Sequence, residues 1–408
     1  MNELVVGQMP AHRQVIRIPH KLRDRHGYVL GKSGKGKSTL LARLIHQDTS
    51  GSYATIVFDA GDLAQDVYEA LPAKRLHRVL YFSIEHPIPY NPFLRRRDDP
   101  ARLENELFAL IDQVTAEASR TTAELSARMK RVLAAAMEAP AFRSEPEPNF
   151  SSLVAYLFSH RSELCRTVQL QADDFAITWE SLIDRLSQFI RDPRIRRVVS
   201  NGHALDFDRV IDEDRILLIS LAGLEPQLKR FLGTLLFHGL QSTILERPRS
   251  RRRPVAVYVD EFHDYVASSA AVGNFQTLFS QARKYGAGVT VAHTDFGQVP
   301  EALRETILGA GTLLTFSSGA KEAAVMSANF ADEWPPQALV RLADHQAVVK
   351  VDDTIYLVET LPPLMKVRRY EETPFAGEDP PDPFAISMPS NERDPYTSIR
   401  APRPARAA

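Results

Sequence analysis

Gly31-Lys32-Ser33-Gly34-Lys35-Gly36-Lys37-Ser38-Thr39 is the stretch on which the reading of this chain turns. It fits the phosphate-binding pattern G-x-x-x-x-G-K-[ST]. It lies between a short apolar run, Tyr28-Val29-Leu30, and an apolar-periodic stretch, Leu40, Leu41, Leu44 and Ile45. A strand entering and a helix leaving is the setting such a loop requires. Glycines let backbone N–H groups point inward at phosphates, where the helix N-terminus adds partial positive charge and unpaired donors. The candidate nucleotide-binding residues are therefore Gly31, Ser33, Gly34, Lys35, Gly36, Lys37, Ser38 and Thr39, with Lys37 neutralising phosphate and Ser38 holding Mg²⁺. The implied cofactors are ATP and Mg²⁺. A glycine-rich turn that binds nothing is the alternative. Lys32 and Lys35 crowd the loop and fit best as solvated side chains.

The second informative stretch is Pro254-Val255-Ala256-Val257-Tyr258-Val259-Asp260-Glu261, a β-branched apolar run that ends in two carboxylates. It predicts a buried central strand, and parallel sheets place ligands at the carboxyl ends of their strands. Asp260 is then the candidate Mg²⁺-binding acid, together with Ser38, and Glu261 the candidate base that polarises the attacking water. Two acids ending a strand also occur as a plain helix or turn cap. Paired with the phosphate loop, they favour hydrolysis over mere nucleotide binding.

Taken in order, these stretches resemble the HerA–FtsK superfamily of DNA-pumping ATPases, nearest to conjugative coupling proteins of the TraG/TraD type. The residues that carry the resemblance are His26 to Gly31 leading into the loop, Val255 to Phe262, and Ser280-Gln281-Ala282-Arg283-Lys284-Tyr285-Gly286. Phe58-Asp59-Ala60-Gly61-Asp62-Leu63 resembles the family's D-P-H-G-D-L turn with an altered middle, and Pro89-Tyr90-Asn91-Pro92-Phe93 its N-P-[LF] turn. The resemblance spans roughly residues 20 to 360 and implies a RecA-like P-loop core, DNA as cargo and a homo-oligomer, hexameric in the family. It also implies that Arg283 is an arginine finger reaching a neighbouring subunit's γ-phosphate. A C-terminal cation before a capping Gly286 is the alternative account of Arg283, as a helix end. Eleven residues further on, the family usually shows Gln where this chain has Thr294, which donates over a shorter reach. His293 and Gln298 are further candidates there, His293 with a structural role as its alternative.

Composition bounds the rest. The chain has 408 residues, 44% hydrophobic and 25% charged, with 50 Lys and Arg against 51 acids, so no global nucleic-acid signature exists. DNA contact would fall to local patches: Arg95-Arg96-Arg97, the Arg191–Arg197 stretch, and the run from Arg247 to Arg253, each of which also reads as a solvated loop. The lone Cys165 excludes an intramolecular disulfide and a cysteine metal cluster, and suits a reducing compartment. No apolar run approaches the ~18 residues of a membrane span, and Met1 to His20 lacks a signal peptide's apolar core. The expected location is the cytoplasm, in contrast to coupling proteins that open with transmembrane helices.

The expected architecture is α/β: a RecA-like P-loop NTPase core with a central, mainly parallel sheet and an all-α insertion domain. Residues 1–98 form the first part of the core, with an edge strand at Gln14–Ile18 and strands near 53–58 and 78–84. Residues 99–200 form the helical insertion, marked by the stripe Leu103, Leu107, Leu110, Ile111 and Val114, by a capping box at Thr121 and Glu124, and by the stripe Leu182, Ile183, Leu186, Phe189 and Ile190. Residues 201–362 complete the core and close in a hairpin about Asp352-Asp353, and 363–408 read as a proline-rich disordered tail. The function this predicts is an ATP-hydrolysing motor that moves DNA. The alternatives are a motor with protein cargo, working with secretion or DNA-processing partners, and a non-translocating nucleotide switch.

Overall fold

The computed structural model describes residues 1–95, 99–119, 125–200, 202, 205–266 and 269–369. Eleven strands among them form one sheet: β1 (Leu4–Gln8), β2 (Val15–Ile18), β3 (Gly27–Leu30), β4 (Ala54–Asp59), β5 (Val79–Phe82), β6 (Ile216–Ser220), β7 (Val255–Val259), β8 (Ala287–His293), β9 (Thr312–Thr315), β10 (Gln346–Val351) and β11 (Thr354–Thr360). Their order is β2-β1-β11-β10-β9-β3-β8-β7-β4-β6-β5. From β9 to β5 every pairing is parallel, whereas β10, β11, β1 and β2 are added antiparallel. The parallel strands are near-continuous runs of Val, Ile, Leu and aromatics because both faces are covered. The mainly parallel core, the edge strand β2 and the closing hairpin β10–β11 match the sequence expectations. The strand β1, which joins that hairpin to the edge, has no strong signal in the sequence.

One face of the sheet is covered by α1 (Lys37–Asp48) and α2 (Leu63–Ala70), which bury Leu40, Leu41, Leu44, Ile45, Leu63 and Val67. The last turn of α1 is anchored by a buried ionic cluster. Arg23 donates from both terminal nitrogens to Asp48, at 2.8 and 2.5 Å, and the hydroxyls of Tyr53 and Tyr258 donate to the same carboxylate. The opposite face carries the helices between β5 and β6. These are α3 (Pro92–Arg95), α4 (Pro100–Ser119), α5 (Ala127–Glu138), α6 (Pro140–Arg143), α7 (Phe150–Ser159), α8 (Arg161–Thr167), α9 (Ala172–Ser187), α10 (Pro193–Val199) and α11 (Phe207–Asp212). Helical structure therefore extends on both sides of the expected 99–200, and it shares a continuous apolar core with the sheet.

The stripe of α4 packs along α12 (Pro226–Glu246), a helix buried nearly all round. Leu182, Leu186 and Phe189 are fully buried, with Ile183 and Ile190 packed against them, as their spacing predicts. Cys165 is half-buried at the edge of the same core. The chain then continues through α13 (Ser269–Gln281), α14 (Glu301–Leu308), α15 (Ala320–Asn329) and α16 (Pro336–Val340). Residues 363–369, assigned to the tail by composition, run against α2: Val367 N–H donates to Glu69 O at 2.9 Å, and Lys366 Nζ lies 2.8 Å from both Asp66 and Glu69. Thr121, Glu124 and the tail from 370 onward lie outside the described residues.

Candidate nucleotide site

The loop 31–36 leaves β3 and enters α1 at Lys37, as the strand–loop–helix context demands. Gly34 and Gly36 adopt φ of 77° and 110°, a region costly for side-chain-bearing residues, and at Gly36 a Cβ would also lie 2.8 Å from the His345 ring. Lys32 N–H donates to Ser317 O at 3.0 Å and His345 N–H to Lys35 O at 3.0 Å, so the neighbouring turns splint the loop from outside. Ser33 and Ser38 are exposed, Thr39 half-buried and Lys32 exposed. Lys35 does not turn inward: its ammonium pairs with Asp344 at 2.6 Å on an exposed flank, which leaves only its backbone for a phosphate.

Lys37 is buried and bridges to the other motif. Its Nζ donates to Asp260 Oδ1 at 3.3 Å and Glu261 Oε1 at 3.2 Å. Burial alone would lower its pKa, but Asp260 and Glu261 outweigh that effect and raise it above the ordinary lysine value. The strands that carry these groups are not neighbours. β8 lies between β3 and β7, so Lys37 reaches across the end of β8 to find Asp260. Glu261 sits at φ 46°, in the left-handed region that a residue with a side chain occupies at a cost, where the chain turns out of β7. Its Oε2 lies 3.4 Å from His263 Nδ1, and neither atom has a hydrogen-bond partner.

The interposed strand ends in His293, level with Leu30 of β3. Its ring is fully buried against Tyr28, Phe262 and Phe296, with Nε2 3.4 Å from the Tyr28 hydroxyl and Nδ1 without a partner. Burial, with His263 and Lys37 adding to it, pushes the imidazole down to about 3, so it is neutral. Thr294 is half-buried just beyond, and Gln298 is exposed in the following turn. Asp59, at the end of β4, is a site residue that the sequence offered only as part of a family-like turn. Both of its oxygens accept backbone N–H groups, from Gly61 and Ala64, each at 2.8 Å. Burial pushes it up to about 7 against those hydrogen bonds, and Asp260 and Asp62 add to the rise. The rule that singled out Asp260, an acid ending a buried parallel strand, applies equally to Asp59.

Arg283 is elsewhere. It precedes β8, whereas Lys37 follows β3, and these strands run parallel, so the two residues lie at opposite ends of the sheet. Its side chain is 57% exposed and pairs with Asp24 at 3.5 Å. The basic run at the same end is largely neutralised within the fold. Arg247 pairs with Asp208 and Asp212, Arg251 with Asp212 and Arg253 with Asp214, while Arg252 stacks on Tyr285. Arg194 is likewise held by Asp192 and Glu225. Arg96 and Arg97 lie outside the described residues.

No protein-family model and no curated protein sequence matches the chain. Solved structures do. VirB4 of Thermoanaerobacter pseudethanolicus aligns at 17% identity and a TM-score of 0.65, over 88% of this chain and 96% of its own. The bacterial conjugative coupling protein TrwBdeltaN70 aligns at 15% identity and 0.69, over 90% of each chain. The plasmid coupling protein TrwB in complex with ADP and Mg²⁺ aligns at 15% identity and 0.64, over 92% of this chain and 96% of its own. Along most of its length, this chain has the α/β fold of VirB4 and of the conjugative coupling protein TrwB.

Proposed function

We propose that this protein hydrolyses ATP and couples hydrolysis to the movement of DNA, as a homo-oligomeric ring that is hexameric by the pattern of the family it resembles. The observation that carries hydrolysis is the convergence of Asp260 and Glu261 on Lys37 at the N-terminus of α1, each carboxylate within 3.3 Å of its ammonium and reached across an intervening strand. A hydroxyl at Ser38 and a carboxylate at Asp260 are hard oxygen donors of the kind Mg²⁺ takes, and the unpartnered buried Glu261 Oε2 leaves polar capacity at the site. Bound there, Mg²⁺ would offset phosphate charge. In the structure Lys37 is engaged by the two acids. When phosphate draws its ammonium away, Glu261 is freed to accept a proton from water, and the neutral His293 keeps the site's floor uncharged.

DNA as cargo rests on the likeness to a conjugative coupling protein and on the family-like turns in the sequence. A second reading, a protein cargo, is favoured by one observation: the arginines of the Arg247–Arg253 run are largely engaged in internal pairs and stacking rather than forming an open basic surface. ATP turnover measured alone, with single-stranded and with double-stranded DNA separates the readings. DNA stimulation of several-fold is expected. Turnover indifferent to both forms sinks the DNA motor. Glu261→Gln should bind ATP normally yet lose hydrolysis, and undiminished turnover in that variant would reject the assignment of the base.

A further inference from the structure

The pair Arg283–Asp24 joins two short, rigid segments. Asp24 lies in the helical turn His20–Arg25, which is fixed from one side by Arg23 on Asp48 and from the other by His26, whose Nδ1 accepts Val289 N–H at 3.1 Å. Arg283 lies in the turn Ala282–Tyr285, capped by Gly286 at φ 79°. The contact is made through Arg283 Nε, 3.5 Å from Asp24 Oδ2, and the arginine is more than half exposed. Stability is a poor reason for this carboxylate. A half-exposed ion pair of that length contributes little. Asp24 Oδ1 meanwhile is buried with no hydrogen-bond partner, which is a cost.

We propose that Asp24 is a positioning residue for Arg283: it takes the Nε edge of the guanidinium and so presents the two terminal nitrogens outward to the polyphosphate held by a neighbouring copy. This rests on the trans-acting reading of Arg283. The geometry suits it, because Arg283 lies at the opposite end of the sheet from its own Lys37 and can meet a nucleotide only across an interface. A guanidinium gripped at one edge keeps two donors in a fixed fork for phosphate oxygens. Released, a long exposed side chain must be ordered again in each cycle. Arg23 gives the platform a further property, since its partner Asp48 ends the helix that begins at Lys37.

The test uses the full chain under conditions where it is assembled, comparing Asp24→Ala, Asp24→Asn, Arg283→Ala and the double variant Asp24→Ala with Arg283→Ala. Asp24→Ala is expected to lower kcat about tenfold at unchanged KM for ATP and unchanged assembly, with the double variant no worse than Arg283→Ala alone. Asp24→Asn keeps an oxygen for Nε and should recover part of the loss; it also stands in if the alanine variant folds poorly. Wild-type kcat in both Asp24 variants, while Arg283→Ala is impaired, overturns the positioning role and leaves the finger intact. Wild-type turnover in Arg283→Ala overturns the trans-acting reading itself. Losses that multiply in the double variant would show Asp24 acting through another group.

Discussion

Lys37→Met tests the centre of the site by removing a charge while keeping most of the side chain's length and volume. In the structure the Lys37 side chain is 6% exposed and its ammonium sits 3.3 Å from Asp260 and 3.2 Å from Glu261. At an effective dielectric of about 20, each contact is worth about 5 kcal/mol of gross Coulomb attraction. Desolvation removes much of that, and breaking a buried pair by deleting one partner costs about 3–5 kcal/mol net. Glu261 is one-quarter exposed, 26%, and can relax toward water, so the expected loss is about 2–3 kcal/mol. For a folded unit spanning Met1–Tyr370 that is roughly 3–4 °C of melting temperature. The assay is nucleotide-free thermal unfolding alongside ATP affinity by displacement of a fluorescent analogue. Affinity should fall about 100-fold, because in the proposed site the same ammonium compensates phosphate. Adding Glu261→Gln to Lys37→Met should restore part of the thermal loss by removing one of the stranded charges. If Lys37→Met melts within about 1 °C of the parent and binds ATP as well, Lys37 compensates neither set of charges.

Two further outcomes follow from the structure. His26 and His293 are pushed down to about 4 and about 3, below the unfolded value near 6.5, so the unfolded chain binds more protons and stability falls as pH drops through that value. Asp59 has the opposite sign: raised to about 7, it is a cost at neutral pH that is relieved as pH falls. From pH 7 to 5.5 the imidazoles withdraw about 2–3 kcal/mol and Asp59 returns about 2, so the parent should be nearly flat, whereas Asp59→Asn should lose about 3–4 °C; a flat Asp59→Asn curve would sink the depressed imidazoles. Deleting residues 371–408 should leave the melting temperature unchanged. Deleting 362–408 also removes Arg43's bonds to Pro362 O and Pro363 O and the Lys366 pairs, costing about 1–3 kcal/mol, and equal melting of the two truncations would refute that docking.

What the sequence alone determined was whatever is contiguous along the chain. The loop Gly31 to Thr39 and the strand ending in Asp260 and Glu261 each carry their chemistry within a few residues, and backbone geometry turns them into a strand–loop–helix and an acid-tipped strand whatever surrounds them. Runs such as Ala54–Asp59 and Ile216–Ser220 announce a sheet covered on both faces because every residue in them is buried. The tertiary structure decided what depends on strand order. Only the placement of β8 between β3 and β7 puts His293 on the floor between Lys37 and Asp260, and only the pairing of β4 with β7 brings Asp59 to the same end. The parallel sense of β3 and β8 sends Arg283 to the far side, beside Asp24, 259 residues earlier in the chain. Folding likewise pairs the arginines of the Arg247–Arg253 run with aspartates of α11 and the turn that follows it. Such partners are set by long-range packing, to which local periodicity and composition are blind.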